Sequence, residues 1–345
     1  MPIVAGADER IYPVVKIATV VASLGAEGIA ADDALRGVQI PASAMVSPAA
    51  RVSLNQVIQC YRNAIRLSRD PFFAYRTGLK FHVASYGMYG FAILSSTNFR
   101  QTMQFAQKYH QLATPLAEIS FREQDDHGIW SVTPMPHAAV DVSLYRFLTE
   151  LQLGIHVSLH RDVMGPSFAP QAVYLTNGAA GAAPQDYRAA FGCPVLFGQS
   201  ENKLLFDAAL LRHRPDLGNE VTYSMVVRLC DELMDELKLR SGVAGKVREA
   251  LLVNLARPTS FDAVARYLKM SSRTLRRKLS EENTSFRALL DDLRMQVAIK
   301  YLRDTDLTTE AVAGALGFSE ASGFRHAFRR WTKATPQDFR RMPLP

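Results

Sequence analysis

The chain has 345 residues, of which 48% are hydrophobic and 21% are charged, and its formal net charge is +7. This length allows two or three domains with cores of their own, while no apolar run is long enough to span a bilayer and the N-terminus lacks a secretory pattern. Three widely spaced cysteines argue against a disulfide framework. We therefore expect a cytoplasmic protein without a membrane segment.

The first part of the chain mixes helical and extended patterns, which predicts an α+β domain over residues 1–215. Asn98 is positioned to cap a helix, and a polar tip at 124–128 indicates a hairpin. The predicted elements are helices at 52–67, 99–112 and 141–163, a hairpin at 119–132, and strands at 172–175 and 203–206.

The pattern breaks near Arg212–Gly218, where the first domain is predicted to end. A helix over 221–239 follows within a connecting segment, 216–242, and has Met225, Leu229, Leu233 and Leu237 at steps of four. Such a stripe is typical of a helix that connects domains or contacts a partner. The remaining residues, 243–345, read as helical.

Positive charge is concentrated in this last part of the chain. From Ser241 to Pro345 there are 19 Lys and Arg against 11 Asp and Glu, a balance of +8, whereas residues 1–240 have a balance of −1. A basic surface attracts the DNA backbone. A solubilising charged surface is the alternative interpretation.

Two helix-turn-helix patterns lie in this basic region, one from Ser260 to Leu279 and one from Leu307 to Arg330. Each has an apolar helix, a tight turn and a second helix rich in Arg. Residues 285–302 between them read as one amphipathic helix, which would fix the distance between the two reading helices at about 34 Å, one turn of B-DNA. The chain therefore predicts an all-α domain that reads two neighbouring major-groove windows.

Outward positions on the second helix of each unit are the candidates for base contact. Ser271 is positioned as the cap of the first of these helices, and Leu275 and Leu279 face inward. Leu307 is among the residues predicted to pack inward in the second unit. The predicted base-reading residues are Ser272, Arg273, Arg276 and Arg277 in the first unit and Ala321, Ser322, Arg325 and His326 in the second. Contacts to phosphates alone would give affinity without sequence information.

Basic residues at the end of the second unit are candidates for phosphate binding, with a solvated basic face as the alternative. They are Arg329, Arg330, Lys333 and Arg340, with Arg341 beside them.

The segment from about Ser260 to Arg341 resembles the DNA-binding domain of the AraC/XylS family of bacterial transcription regulators. The matching residues are Ser285-Phe286, Arg294, Ala298, Leu302, Ala313, Leu316-Gly317-Phe318, Phe324, Phe328, Thr335-Pro336 and Phe339-Arg340. Two positions depart from the family, where glycine is usual. Asn283 tolerates a left-handed backbone, whereas Lys333 tolerates it less, so the last turn is expected to be reshaped.

Residues 187–198 and 202–207 resemble the end of the N-terminal domain in the family branch that includes ornithine-utilisation and VirS-type regulators. The two resemblances imply an effector-sensing α+β domain coupled to tandem helix-turn-helix units. We expect a homodimeric activator that binds double-stranded DNA, contacts RNA polymerase and responds to a small organic effector. A repressor remains the alternative.

Other chemistry is weakly supported, and no metal, cofactor or catalytic residue is expected. His156 and His160 have a metal-binding spacing but no third ligand. Cys193 raises the alternative of a DNA-repair alkyltransferase, but the sequence around it lacks the usual acceptor context. Aromatic residues at Phe81, Tyr86, Phe91 and Trp130 are candidates for an effector pocket, with plain core packing as the alternative.

Overall fold

The computed structural model describes residues 8–113, 116–137, 139–179, 182–240, 242–253, 255–257, 260–282 and 284–341. They form two compact units. The N-terminal unit comprises Arg10–Met135 and Val142–Asp235. The C-terminal unit comprises the described residues of Glu236–Leu344, together with those of Pro136–Asp141 and Asp8–Glu9.

The N-terminal unit is an α+β structure. Its helices are α1 (Val15–Ala26), α2 (Ala31–Ala34), α3 (Leu54–Leu67), α4 (Phe73–Gly78), α5 (Met88–Ser95), α6 (Phe99–Lys108), α7 (Val142–Met164), α8 (Pro184–Phe191) and most of α9 (Glu220–Arg240). Its strands are β1 (Tyr12–Pro13), β2 (Arg51–Val52), β3 (Ala117–Gln124), β4 (His127–Pro134), β5 (Ala172–Tyr174), β6 (Val195–Leu196) and β7 (Lys203–Asp207). Short 3-10 turns lie at Ala42–Val46, Val83–Tyr86, His110–Ala113 and Ala208–Arg212.

Five strands form one sheet in the order β3-β4-β7-β5-β6, and β1 pairs separately with β2. All neighbours in the larger sheet are antiparallel except β5 and β6. The β3–β4 hairpin turns at Asp125 and Asp126, whose φ angles of 49° and 61° place both in the left-handed region. Aspartate tolerates this conformation, and two such residues suit a tight hairpin. The predicted hairpin is therefore present, with a two-residue tip.

Local sequence signals explain where several helices begin. Ser53 and Gln56 form a reciprocal capping box at the start of α3, with both hydrogen bonds between 3.0 and 3.2 Å. The side chain of Asn98 accepts a hydrogen bond from the Gln101 amide at 2.9 Å and so caps α6, as predicted. The predicted helix over 99–112 ends as α6 at Lys108 and continues as a 3-10 turn.

The core of this unit lies between the sheet and α6, α7 and α8. Phe99 and Phe105 of α6, Trp130 of β4 and Phe206 of β7 are among its fully buried aromatic side chains. Helix α7 crosses α4 with backbone in contact with backbone, because both helices have glycine at the crossing. A Cβ atom on Gly78 would lie 2.3 Å from the Leu151 carbonyl oxygen, and one on Gly154 would lie 2.3 Å from the Tyr75 carbonyl oxygen.

The regular elements in the described part of the C-terminal unit are all helices. Its helices after α9 are α10 (Gly242–Leu252), α11 (Phe261–Tyr267), α12 (Ser272–Glu281), α13 (Phe286–Asp304), α14 (Thr309–Ala315), α15 (Ala321–Thr332) and α16 (Pro336–Arg341). Helix α13 contributes buried side chains to two hydrophobic clusters, one with α10, α11 and α12 and one with α14 and α15. The inward position predicted for Leu307 is wrong, since it precedes α14 and is 39% exposed.

The carboxylate of Glu282 ties the end of α12 to the start of α10. Its two oxygens accept hydrogen bonds from the Val243 and Ala244 amides, both at 2.8 Å. A carboxylate satisfies the unpaired amides of a helix N-terminus and complements the helix dipole. In the described ranges, no helix is long and apolar enough to cross a membrane.

Candidate nucleic-acid interface

The first helix-turn-helix unit consists of α11, a turn and α12. Ser260 caps α11 and Ser271 caps α12, each by accepting a hydrogen bond from a backbone amide three residues later. Leu275 and Leu279 of α12 are buried against Val264 of α11 and its neighbours. This packing fixes one face of α12 toward the core and leaves the opposite face exposed.

The predicted base-reading residues of the first unit differ in what holds them. Arg273 is exposed, and its guanidinium makes no hydrogen bond or ion pair with another residue that the structure describes. The Arg276 guanidinium lies 5.4 Å from the Phe261 ring centroid, a cation–π distance. Arg277 pairs with Glu281 at 2.6 Å. The hydroxyl of Ser272 donates to Asp262, so Ser272 is the most constrained of the four.

The second unit consists of α14, a turn and α15. Thr308 caps α14 through the Ala311 amide at 3.1 Å. The first turn of α15 has no side-chain cap, and the hydroxyl of Ser322 donates to Glu320 at 3.0 Å. Ala321 is half-buried, whereas His326 is exposed. This arrangement offers fewer free donors at the helix start than the first unit does.

Arg325, the strongest base-reading candidate of the second unit, is paired with Glu310 of α14. The two side chains are 2.7 Å apart and are 54% and 64% exposed. An exposed ion pair of this kind is worth about 0.2–1 kcal/mol. The Arg325 guanidinium can therefore leave Glu310 for another partner at little cost.

The turn of the second unit depends on Gly317. Its φ angle is 74°, in the left-handed region, and a Cβ atom would lie 2.6 Å from the Ala256 carbonyl oxygen. Arg294 of α13 donates to the Gly317 carbonyl oxygen at 3.0 Å, and its guanidinium lies 4.5 Å from the Phe318 ring centroid. Arg294 therefore holds this turn through both contacts.

The phosphate candidates lie near the C-terminal end of α15 and on α16. Arg329 is exposed, Arg330 pairs with Asp291 at 2.9 Å, and Arg340 donates to the Leu307 carbonyl oxygen. Lys333 ends α15 in the left-handed conformation, with a φ of 64°. The expected reshaping of this turn is therefore wrong, since Lys333 keeps the backbone that glycine would adopt, at the strain expected for a lysine. Asn283, the other departure from the family, lies outside the described residues.

The N-terminal unit contains an internal cavity of about 30 Å³. Two of the aromatic residues proposed for an effector pocket, Tyr86 and Trp130, line it. Phe81 is buried beside Tyr86, with ring centroids 6.3 Å apart, and Phe91 is 43% exposed. Sequence reasoning missed the one lysine in the lining, Lys16 of α1, which is 3% exposed. A lone lysine in an otherwise uncharged helix was the available signal.

The two histidines His156 and His160 and the cysteine Cys193 are all buried. His156 and His160 are buried in the same cavity wall, and within the described ranges no group of three or more His, Cys, Asp or Glu side chains could hold a metal. Cys193 is 4% exposed, and burial raises the pKa of its thiol to about 11. A thiolate, the form an alkyl acceptor needs, is thus disfavoured at neutral pH.

Family comparison gives the context of both units. A model for the N-terminal arabinose-binding domain of AraC transcription regulators matches residues 28–215. A helix-turn-helix domain model matches residues 264–342. The chain belongs to the AraC family of transcription regulators. It is accordingly a DNA-binding regulator, and α12 and α15 are the second helices of its two helix-turn-helix units.

The relatives of this AraC-family chain are regulators rather than enzymes. It is 31% identical over 301 residues to the ornithine utilization regulator of Pseudomonas aeruginosa, covering 86% of each sequence. It is 30% identical over 330 residues to a helix-turn-helix regulator of Mycobacterium tuberculosis, covering 91% of this chain and 92% of that one. The crystal structure of the transcriptional regulator CdpR from Pseudomonas aeruginosa is similar over 94% of this chain and 96% of that one, at 23% identity and a TM-score of 0.49.

Proposed function

We propose that this AraC-family chain is a cytoplasmic activator that reads bases with α12 and α15 and responds to a small organic effector. The observation that carries the proposal is the face of α12, where a serine cap and two buried leucines hold three exposed arginines outward. Arginine can donate two hydrogen bonds to guanine O6 and N7 in the major groove. The proposed base-reading set is the one predicted from the sequence.

The two helix-turn-helix units are proposed to contribute unequally to base discrimination. Arg273 has no competing partner among the described residues, so it is the first candidate for a guanine contact. Arg325 must leave Glu310 to reach a base, and its neighbours Ala321 and Ser322 offer little more than a methyl contact and one hydrogen bond. We therefore propose that the first unit supplies most of the discrimination.

Phosphate contacts are proposed for Arg329, Arg330, Lys333 and Arg340. Arg329 is exposed in the last turn of α15, where it is available to a backbone phosphate. Arg330 and Arg340 already have intramolecular partners. They would therefore orient the DNA backbone and add less attraction than an unpaired arginine would. Each phosphate neutralised steepens the salt dependence of binding.

The exposed stripe on α9 is the proposed homodimer contact. Val221 is 80% exposed, Met225 57%, and Leu229 and Leu233 37% each, while the side chain of Leu237 lies outside the described ones. A dimer would raise affinity for two half-sites through effective concentration.

Leu229→Glu is expected to shift the protein to monomer in sedimentation at micromolar concentration. Val46→Glu, which alters a residue 88% exposed on a 3-10 turn, is the matched control, and a Leu229→Glu variant that stays dimeric contradicts the proposed contact.

The decisive experiment is selection of bound sequences from random duplexes by the full-length protein, followed by placement of the selected site upstream of a promoter. Each half-site is expected to contain two base-specific windows about one helical turn apart. Transcription from the promoter is expected to rise, and this rise should depend on contact between the protein and RNA polymerase. Selection of a single window would contradict reading by both units. Falling transcription would favour the alternative, a repressor.

A further inference from the structure

We infer that the internal cavity of the N-terminal unit binds the carboxylate of a small monocarboxylic acid with an apolar body, and that Lys16 is its counter-ion. This inference rests on the proposed effector response and assigns the chemistry of the effector. It depends on four features of the cavity, namely its buried cation, its unpaired polar atoms, its apolar wall and its lack of acidic side chains.

Lys16 is a buried cation without an anion. It is 3% exposed, and no hydrogen bond or ion pair joins its ammonium group to another residue that the structure describes. Its Nζ atom lies over two aromatic rings, 5.2 Å from the Phe81 centroid and 5.9 Å from the Tyr86 centroid. Buried charges are normally paired, so this position is incomplete without a bound anion.

Three further polar atoms of the cavity lining are buried without a hydrogen-bond partner among the described residues: Tyr86 Oη, His156 Nε2 and His160 Nε2. Burial raises the pKa of Tyr86, so its hydroxyl stays protonated and can donate. Nδ1 of His160 donates to the His156 carbonyl oxygen at 2.6 Å. Buried polar atoms normally have partners. A bound carboxylate would accept from Tyr86 Oη and from His156 Nε2 in its protonated tautomer, whereas His160 Nε2, with the ring proton on Nδ1, is an acceptor and does not face the carboxylate as a donor.

The sign of the ligand follows from the charged groups of the lining. Within the described part of the chain, the cavity wall contains Lys16 and three histidines but no Asp or Glu. Burial lowers the pKa of His110 and His160 to about 4, so these histidines are neutral near pH 7. A cationic ligand would face the ammonium group, and a neutral one would leave it unpaired. One positive charge matches one carboxylate.

The body of the ligand follows from the remaining wall, which is mostly apolar, with Thr102 and Gln152 as its other polar side chains besides the tyrosines. It includes Ile93, Phe99, Met103, Ile119, Trp130 and Leu159. The cavity volume of about 30 Å³ exceeds the ~10–15 Å³ that a water molecule needs, and it suits a headgroup rather than a whole metabolite. Met103 accepts a hydrogen bond from Trp130 Nε1 at 3.2 Å, and its unbranched side chain can move to admit an apolar body.

The test uses full-length protein with Trp331→Phe, which leaves Trp130 of the cavity as the chain's one remaining tryptophan. Acetate, butyrate, hexanoate and octanoate are titrated while Trp130 fluorescence is followed, beside the alcohols and amines of equal length. We expect saturable binding of carboxylates only, tightening with chain length until the cavity is filled. Carboxylates that give no saturable change, or alcohols that bind equally well, would overturn the inference.

Variants separate the counter-ion from general packing. Lys16→Met is expected to weaken carboxylate binding about tenfold or more, and Tyr86→Phe to weaken it less. Lys80→Met, at an exposed lysine of the same unit, is the matched control and keeps wild-type affinity. Unchanged affinity in a folded Lys16→Met protein would refute the role of Lys16.

DNA binding by the unaltered protein is measured separately from these titrations. Loss of sequence-specific DNA binding would defeat the proposed function whatever the cavity binds. Intact DNA binding with no carboxylate affinity would defeat this inference alone.

Discussion

Lys16→Met is expected to raise the free energy of unfolding of the N-terminal unit, most strongly at low pH. Burial lowers the pKa of Lys16 from 10.5 to about 7. At ~1.4 kcal/mol for each unit of pKa, this lowering of the pKa corresponds to a cost of about 4–5 kcal/mol for burying the ammonium ion. Methionine fills a similar volume without charge, so the substitution removes this cost.

The sign of the pH dependence follows from the two pKa values of Lys16. Below about pH 7 the lysine is charged in both the folded and the unfolded chain, and the full cost of burying it is present. As the pH rises toward 10.5, the unfolded chain binds the proton that the folded chain has lost, so the wild-type protein gains stability. The advantage of Lys16→Met should therefore shrink as the pH rises. His110 and His156, which face Lys16 electrostatically, have lowered pKa values themselves and stay neutral across this range.

Urea unfolding of both proteins, followed by Trp130 fluorescence in the Trp331→Phe background, measures this difference. Between about pH 7 and about pH 9 the gap between variant and wild type should narrow by roughly 2–3 kcal/mol. A gap that stays constant with pH would show that Lys16 is not a desolvated cation. A variant less stable than wild type at about pH 6 would refute the reasoning outright.

Three further substitutions test the C-terminal unit. Arg273→Ala should weaken binding to the selected duplex by about 1–3 kcal/mol and binding to random duplex much less, as measured by fluorescence anisotropy. Arg287→Ala, at an exposed arginine of α13, is the control. Equal losses on both duplexes would make Arg273 a phosphate contact. Gly317→Ala should lower the free energy of unfolding by about 2 kcal/mol or more, because a Cβ atom there is both strained and 2.6 Å from a carbonyl oxygen. Gly314→Ala, in α14 with open space around it, should raise stability by about 0.5–1 kcal/mol, so the same loss at both glycines would contradict the argument. Lys333→Gly should raise the melting temperature, since it relieves a left-handed strain of about 1 kcal/mol; a lower melting temperature would show that Lys333 contributes contacts that outweigh the strain.

The helix-turn-helix units could be predicted because their signals are local. Ser271 lies immediately before α12, and Leu275 and Leu279 are one turn apart on it, so spacing alone indicates the cap and the buried face. Gly317 likewise falls at a turn where a left-handed residue is common. The strong helix, hairpin and strand patterns of the N-terminal unit were predictable for the same reason.

Contacts between residues distant in sequence could not be predicted in this way. Arg325 and Glu310 lie on different helices, and neither the ion pair nor its exposure can be seen in the spacing of either helix. Lys16 becomes informative only when α1 folds beside Tyr86, seventy residues later, and the lysine loses its solvent. The weakly patterned elements, such as α8 and β6, depend on the same long-range packing.

The sharing of α13 by two hydrophobic clusters restricts how this protein can change during evolution. Leu289 and Leu293 belong to one cluster, and Ala298 and Leu302 belong to the other. One residue inserted between them would lengthen the helix by only ~1.5 Å but would turn everything beyond it by about 100°. Substitutions can accumulate on the exposed side of α13, whereas insertions and deletions should be confined to its flanking loops. The DNA sites of such proteins should therefore vary in base sequence far more readily than in the distance between the two segments that the helix-turn-helix units contact.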